Sequence, residues 1–524
     1  MKRRNFVKTT TLAGLSLSLG SCSKVENELD KERIFTPVLI IGSGFGGSVT
    51  ALRLAQAGID NILLERGRAW ESHEFNSFTG IDEKSTWLKN EALVPIANLK
   101  IPIKKYVGVI EYHRYYNMSI FNSAGLGGGS LVFGATYVKP TKEVFERVFP
   151  SEVNFDEMDA LYFNKVQQEV NFSHIPEDIY QSRYYQYARS FREHVLRTGK
   201  EPFRLPASYD WNIIRKELEG EIPLEFLKGD GNYGTRNDSK FSLDKTYISK
   251  AVNSGKTRVL TLHNVVNISI RSDKKYEIEV DQINERGDVM KKKVIVTDKL
   301  FLCAGTPNTI KLLLKAKETS NLNELNNTIG SGFGTNGKTF FRRVVKENTG
   351  RFTGWTPAEG VPHFDNPYVP IMIENIPQPT NLIISGPDLK SHFHVGLAAT
   401  TYRGKFTYNP EKDRLNLDWS KNGLDESIAA ASHWAEQINA VNPGSYVDDG
   451  LIADKFANNL TYHPLGGCVI GQSTDYYGRI LEYPNLYVND STLIPGVAAC
   501  ANPAFTIAAL AERNIAKIIS EDFI

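Results

Sequence analysis

Apolar residues follow two rhythms along this chain, and the change between them comes early. Pro37 to Ile41 (PVLII) is an unbroken apolar run of strand length, whereas Val49, Leu52, Ala55 and Ile59 recur at helical spacing. Between them stands Gly42-Ser43-Gly44-Phe45-Gly46-Gly47, and after them Ile62-Leu63-Leu64 forms a second short strand ending in Glu65. The predicted order is strand, glycine turn, helix, strand. From Arg258 to Leu302 the texture becomes alternating strands, with a turn at Asn284-Glu285-Arg286-Gly287-Asp288, and the meander runs into Leu300 to Ala304. Gly305-Thr306-Pro307-Asn308 breaks that run before a helix through Leu312 and Leu313. Strands are expected over Gly404 to Tyr408 and Arg414 to Trp419, and a helix near Asp425 to Val441. A last apolar stripe, Ile507, Leu510, Ala511, Ile515 and Ile518, follows Asn502-Pro503, with proline suited to the first turn of a helix.

Composition narrows the class. With 41% apolar and 11% aromatic residues the chain is globular, and 61 basic against 60 acidic residues leave no field for gathering nucleic acid. Cys22, Cys303, Cys468 and Cys500 include no CxxC pair, and no histidine cluster stands at ligand spacing, so neither a zinc site nor a disulfide framework is predicted. Lys2-Arg3-Arg4-Asn5-Phe6-Val7-Lys8 precedes a short apolar run ending in Leu19-Gly20-Ser21-Cys22. That run is too short to span a bilayer. The basic start resembles a bacterial twin-arginine export signal, and Leu-Gly-Ser-Cys a lipobox whose cysteine is acylated. An exported lipoprotein, anchored to a membrane of the cell envelope through Cys22, is therefore expected, with Lys24 to Arg33 as a charged, solvated tether.

The glycine turn carries chemistry. In Gly42-x-Gly44-x-x-Gly47 the first glycine permits the tight turn, the second lets the backbone approach a pyrophosphate, and the third lets the helix pack on the strand. The helix N-terminus then faces the phosphates. Glu65 is placed to accept from an adenosine ribose and would repel a 2'-phosphate, which disfavours NADP. The fingerprint alone leaves FAD and NAD open. A second glycine-rich segment, Gly125-Leu126-Gly127-Gly128-Gly129-Ser130, strings backbone amides together as a loop against a planar cofactor requires. The helix that begins at Asn502-Pro503 would direct partial positive charge at the pyrimidine edge of a flavin and favour its anionic reduced form.

These segments, with Ser242 to Tyr247, Tyr462-His463-Pro464-Leu465-Gly466-Gly467-Cys468, Tyr477-Gly478-Arg479 and Asn485 to Asn514, resemble the glucose-methanol-choline flavoprotein oxidoreductases. Within that family the resemblance is to the cholesterol oxidases that hold FAD noncovalently. It implies an α/β fold: a Rossmann-like FAD-binding lobe (34–75, 241–340, 461–524) and a discontinuous α+β substrate-binding lobe (76–240, 341–460). It places Gly42, Gly44, Gly47 and Glu65 on the adenosine diphosphate half of FAD, and Gly127, Gly128, Gly129 and Ser130 near its phosphates and ring. Val265 would meet the adenine through its backbone, Asp490 would lie beside the cofactor, and Asn502 and Pro503 would contact the flavin. His463 and Asn502 would bracket a substrate hydroxyl, with His463 assisting proton transfer as hydride leaves the carbinol carbon. Glu374, among apolar neighbours that raise its pKa, would move a proton during isomerisation of a 5-en-3-one to the 4-en-3-one. The implied substrate is a hydrophobic secondary alcohol, above all a 3β-hydroxysteroid, with O2 as acceptor. Phe133 departs from the pattern, standing after Leu131-Val132 where the family usually has asparagine. It leaves open an acceptor other than oxygen. Rival readings are an FAD dehydrogenase of a sugar, polyol or other alcohol, and an exported lipoprotein that binds FAD or a ligand without turnover.

Overall fold

The first strand begins well before its apolar run. In the computed structural model, which describes residues 32–77, 82–94, 99–229, 231, 234–350, 353–377, 389–448 and 460–523, strand β1 spans Glu32–Ile41. Its charged start is held by cross-strand pairs: Glu32 meets Lys291 at 2.8 Å, and Arg33 meets Glu277 at 3.1 Å. Glu32 and Arg33, expected in the tether, are thus strand residues, because pairing with a charged neighbour replaces the missing apolar run. The rest of the tether and the leader through Cys22 lie outside the described residues.

Helix α1 (Phe45–Gln56) and β2 (Asn61–Leu64) follow as predicted. Ile59 falls past the helix, where its amide caps the end by donating to Leu54 O at 2.9 Å. The region 258–302 becomes β3 (Thr257–Leu260), β4 (His263–Ile270), β5 (Tyr276–Ile283) and β6 (Val289–Leu302). Of these, β4, β5 and β6 form the antiparallel meander, whereas β3 crosses over to lie parallel to β2. One seven-stranded sheet results, in the order β3-β2-β1-β6-β5-β4, with the short strand Leu486–Val488 added beside β6. Its long β6 pairs with β5 through its first half and runs parallel to β1 through its second. Helix α2 (Asn308–Glu318) follows the break after β6.

A second sheet of six antiparallel strands has at its centre β7 (Lys338–Val344), β8 (Glu359–His363), β9 (Ile371–Ile376) and β10 (Ser391–Ala398), in the order β7-β10-β9-β8. Phe203–Arg204 and Tyr446–Asp448 form its edges. Lys338 to Phe340, expected to close the nucleotide lobe, belong to this sheet. Its register puts Lys338, Leu397 and Met372 in one row and Phe340, Val395 and Glu374 in the next, all on one face. The opposite face, with Phe341 and Ile373, is covered by α3 (Asp425–Ala440) through Ala431, Trp434 and Ile438. The expected strands near 404 and 414 are present as Gly404–Asn409 and Arg414–Asp418. The final helix, α4 (Pro503–Asp522), packs on α1.

Candidate active site

The turn after β1 is built as its glycines require. Gly42 has φ +101°, and a Cβ there would come 2.4 Å from Cys303 O. A Cβ on Gly47 would stand 1.8 Å from Gly42 O, so only glycine lets α1 lie so close to the turn. At Gly44, by contrast, a Cβ would meet nothing within 4 Å, and no side chain caps α1 there. A Cβ on Gly128 would approach Gly44 Cα at 2.7 Å, so the second glycine loop, including Gly127 and Gly129, lies directly on the first. Two backbones with almost no side chains thus converge on an uncapped helix N-terminus, a cradle that fits a dinucleotide diphosphate.

Around the cradle, several expected cofactor residues are spent on holding it. Glu65 Oε2 accepts from Ser43 Oγ at 2.6 Å and Ser43 N at 3.2 Å, and its Oε1 accepts from Gly67 N at 2.8 Å. Oε2 thus accepts two bonds, and Oε1 keeps one lone pair for a ribose hydroxyl. Ser130 Oγ donates to Gly127 O at 2.7 Å and accepts from Leu243 N at 2.9 Å, which pins the loop to the segment after Ser242. Asp490 accepts from Gly305 N, Thr309 Oγ1, Thr492 N and Thr492 Oγ1, while its backbone stands against Gly46, where a Cβ would lie 3.1 Å from Asp490 Cα. Val265 lies in β4, paired with Val280, two residues past His263, whose amide donates to Glu65 O, while Glu65 N donates to Leu260 O.

His463, Asn502 and Glu374, far apart in sequence, come together. Asn502 is the N-cap of α4, yet its side chain makes no capping bond; its Nδ2 donates instead to Glu374 Oε2 at 3.4 Å. Glu374 is buried, and burial raises its carboxyl to about 7 against the opposing pull of Asn502 and Lys338. His463 is held by two residues the sequence had not singled out. Asn336 Nδ2 donates to His463 Nδ1 at 3.4 Å and to Ala501 O at 2.9 Å, while its Oδ1 accepts from Ala498 N at 2.7 Å. Because the backbone partners fix which way that amide points, Nδ1 of His463 is an acceptor and the neutral ring carries its hydrogen on Nε2. The second is Lys338, which reaches it through Tyr462: it is fully buried, with its Nζ over the ring of Tyr462 that packs on His463, and among the described residues it has no hydrogen-bond partner. Burial, then Lys338, holds the His463 imidazole well below the usual histidine range, so it is neutral around pH 7. A glycine-flanked polar pair ahead of an apolar strand, Asn336-Gly337-Lys338-Thr339-Phe340, was the signal available in the sequence for both.

Models of the GMC oxidoreductase family match residues 36–333, and those of its C-terminal region match residues 336–451 and 402–511. The chain belongs to the GMC oxidoreductases. Among its relatives, the cholesterol oxidase of Mycobacterium tuberculosis is 24% identical over 542 residues, covering 91% of this chain and 90% of that one. A fungal aryl-alcohol oxidase shares the fold at TM-score 0.61 and 11% identity, covering 93% of this chain and 99% of its own. The formate oxidase of Aspergillus oryzae, in a form made to study FAD modification, does so at TM-score 0.60 and 12% identity, covering 94% and 99%. As a GMC oxidoreductase the protein is an FAD-dependent enzyme acting on alcohols. The departure at Phe133 is absorbed by an aromatic chain: its ring lies 5.6 Å from Phe45 and 5.8 Å from Tyr137, which is 5.9 Å from Phe505 in the first turn of α4. Beside that chain lies a cavity of about 610 Å³, lined among others by Tyr137, Phe172, Met372, Ala499, Cys500 and Phe505. Met372 shares a sheet face with Glu374, and Cys500 stands just before Asn502, so this GMC enzyme has apolar space next to its polar cluster.

Proposed function

We propose that the protein oxidises a hydrophobic secondary alcohol to the ketone, a 3β-hydroxysteroid being the leading candidate, with O2 as acceptor. The observation that carries this reading is the contact of Asn502 with Glu374, with His463 tied through Asn336 to the loop before Asn502, and an apolar cavity whose lining reaches Met372 and Cys500, each two residues from that pair. FAD, bound at the glycine cradle, supplies the hydride acceptor. His463 donates from Nε2 to the hydroxyl oxygen and orients it. Glu374, ionised above about pH 7, takes the hydroxyl proton, and Asn502 holds that carboxylate in place. With a 5-ene substrate, once Glu374 has released the hydroxyl proton to solvent, its carboxylate takes a proton from C4 of the 5-en-3-one product and returns it at C6, which yields the conjugated 4-ene.

Anaerobic addition of sterols, sugars and simple alcohols to the holoprotein tests the reading directly. Sterols should bleach the flavin fastest, and bleaching by sugars or polyols alone would overturn the sterol assignment. Under air, one peroxide per ketone is expected; ketone without peroxide would assign the electrons to another acceptor, as Phe133 raises. The reading includes export and lipid anchoring at Cys22, so C22A should move the protein from the membrane fraction to the soluble one.

A further inference from the structure

The polar groups around the expected hydroxyl outnumber what one hydroxyl can satisfy. Among the described residues, Lys338 Nζ, Glu374 Oε1 and Asn502 Oδ1 are each buried without a hydrogen-bond partner. Lys338 and Glu374 project from the same sheet face, on β7 and β9 with β10 between them, and Asn502 contacts Glu374. The Lys338 amine, whose charged form burial disfavours, lies over the Tyr462 ring and 4.9 Å from the Phe340 centroid, and Tyr462 packs edge-on against His463 at 5.0 Å. A hydroxyl offers one hydrogen and two lone pairs. His463 Nε2–H and one hydrogen of Lys338 fill both lone pairs, and the hydroxyl hydrogen goes to Glu374 Oε1 or to Asn502 Oδ1. One buried acceptor and a further hydrogen of Lys338 are then left over, which a hydrocarbon neighbour cannot satisfy.

We propose that Lys338 receives a second oxygen of the substrate, so that the preferred substrate is an alcohol with a second hydroxyl on the carbon next to, or one beyond, the reacting carbinol. This rests on the alcohol-oxidase reading and refines its substrate class: an apolar body for the cavity, and two neighbouring oxygens for the polar cluster. A second hydroxyl brings one further hydrogen for the leftover acceptor and two lone pairs for Lys338. Plain cholesterol, with hydrocarbon on both sides of its carbinol, would then be oxidised but be a poorer substrate than a sterol oxygenated beside C3.

The test compares matched pairs on the holoenzyme: cyclohexanol with cyclohexane-1,2-diol, and cholesterol with 4β-hydroxycholesterol. The oxygenated member of a pair should have the higher kcat/KM by about tenfold or more, since sites that hydrogen-bond a hydroxyl discriminate strongly against its absence. In K338M that ratio should collapse toward one, with the flavin spectrum retained. Binding gives a readout free of turnover: 2,3-dimethylbutane-2,3-diol, which has no carbinol hydrogen, should bind wild type more tightly than 2,3-dimethylbutan-2-ol in calorimetry, and K338M should not distinguish them. Equal ratios for wild type and K338M, or a wild-type preference for the plain alcohols, would overturn the assignment while leaving alcohol oxidation intact. If no member of either pair, and none of the sterols, sugars and simple alcohols, bleaches the flavin, alcohol oxidation itself fails, and this refinement falls with it.

Discussion

Two side chains at this site hold protons in opposite senses, and both do so because of burial. The imidazole of His463 stays neutral well below the usual histidine range, whereas the Glu374 carboxyl keeps its proton up to about pH 7. Near neutrality, Glu374 is therefore the group that titrates. The kcat/KM for alcohol oxidation should rise with pH through an inflection near 7, and E374Q should lose that rise; an unchanged profile would assign the proton to another base. Stability has the opposite dependence. A carboxyl that holds its proton more tightly folded than unfolded weakens the fold as pH climbs from 4.5 toward about 7, and the whole penalty is present above that. It amounts to about 3 kcal/mol at most for a shift of this size. The Tm of E374Q should therefore gain on wild type between about pH 5 and about pH 8, and a constant gap would contradict a raised carboxyl. H463A should keep its yellow colour and lose turnover by about a hundredfold or more, as removal of a donor that orients the reacting hydroxyl does.

At the scale of elements, each glycine and cap was legible to the extent that its purpose is local. The turn after β1 and the proline at the start of α4 could be read because the backbone conformation they demand is set within a few residues. Asn336 and Lys338 stand out in the sequence only as a glycine-flanked polar pair, and nothing local places them at the site, because their importance comes from strand pairing that brings β7 across β10 to β9, and from a loop that reaches residues 498–501. The same limit explains Glu32 and Arg33: their strand exists through partners on β5 and β6, more than two hundred residues away. Glu65 was read for its ribose, but much of its hydrogen bonding goes to Ser43 and Gly67. Gly47 offers the sharpest check at this scale. A Cβ there would collide with Gly42 O, a backbone atom that cannot rotate aside, so G47A should purify with little or no bound FAD, read as the ratio of flavin to protein absorbance. Full flavin content in G47A would show that α1 can move away from the turn without losing the cradle.

Across the whole molecule the polar cluster draws on both sheets. Glu374 and Lys338 come from one face of the second sheet, while His463 and Asn502 come from the C-terminal quarter, whose last helix lies on α1 of the first sheet. The glycine cradle belongs to the first sheet and its partner loop at 125–130. A cofactor seated there is therefore bonded mainly to one sheet, but the groups that act on substrate are fixed by contacts that cross to the other, such as Asn502 with Glu374. Ligand binding to the folded state alone stabilises it by mass action, by about 2.7 kcal/mol at a hundredfold excess over Kd. Adding FAD to apoprotein should thus raise its Tm in a concentration-dependent way, and amide exchange should slow in β9 and β7 as well as in β1 and α1. Slowing confined to β1, α1 and the glycine loop would mean that the cofactor stabilises its own lobe without fixing the carboxylate opposite, and that substrate, rather than FAD, brings Glu374 into register with His463.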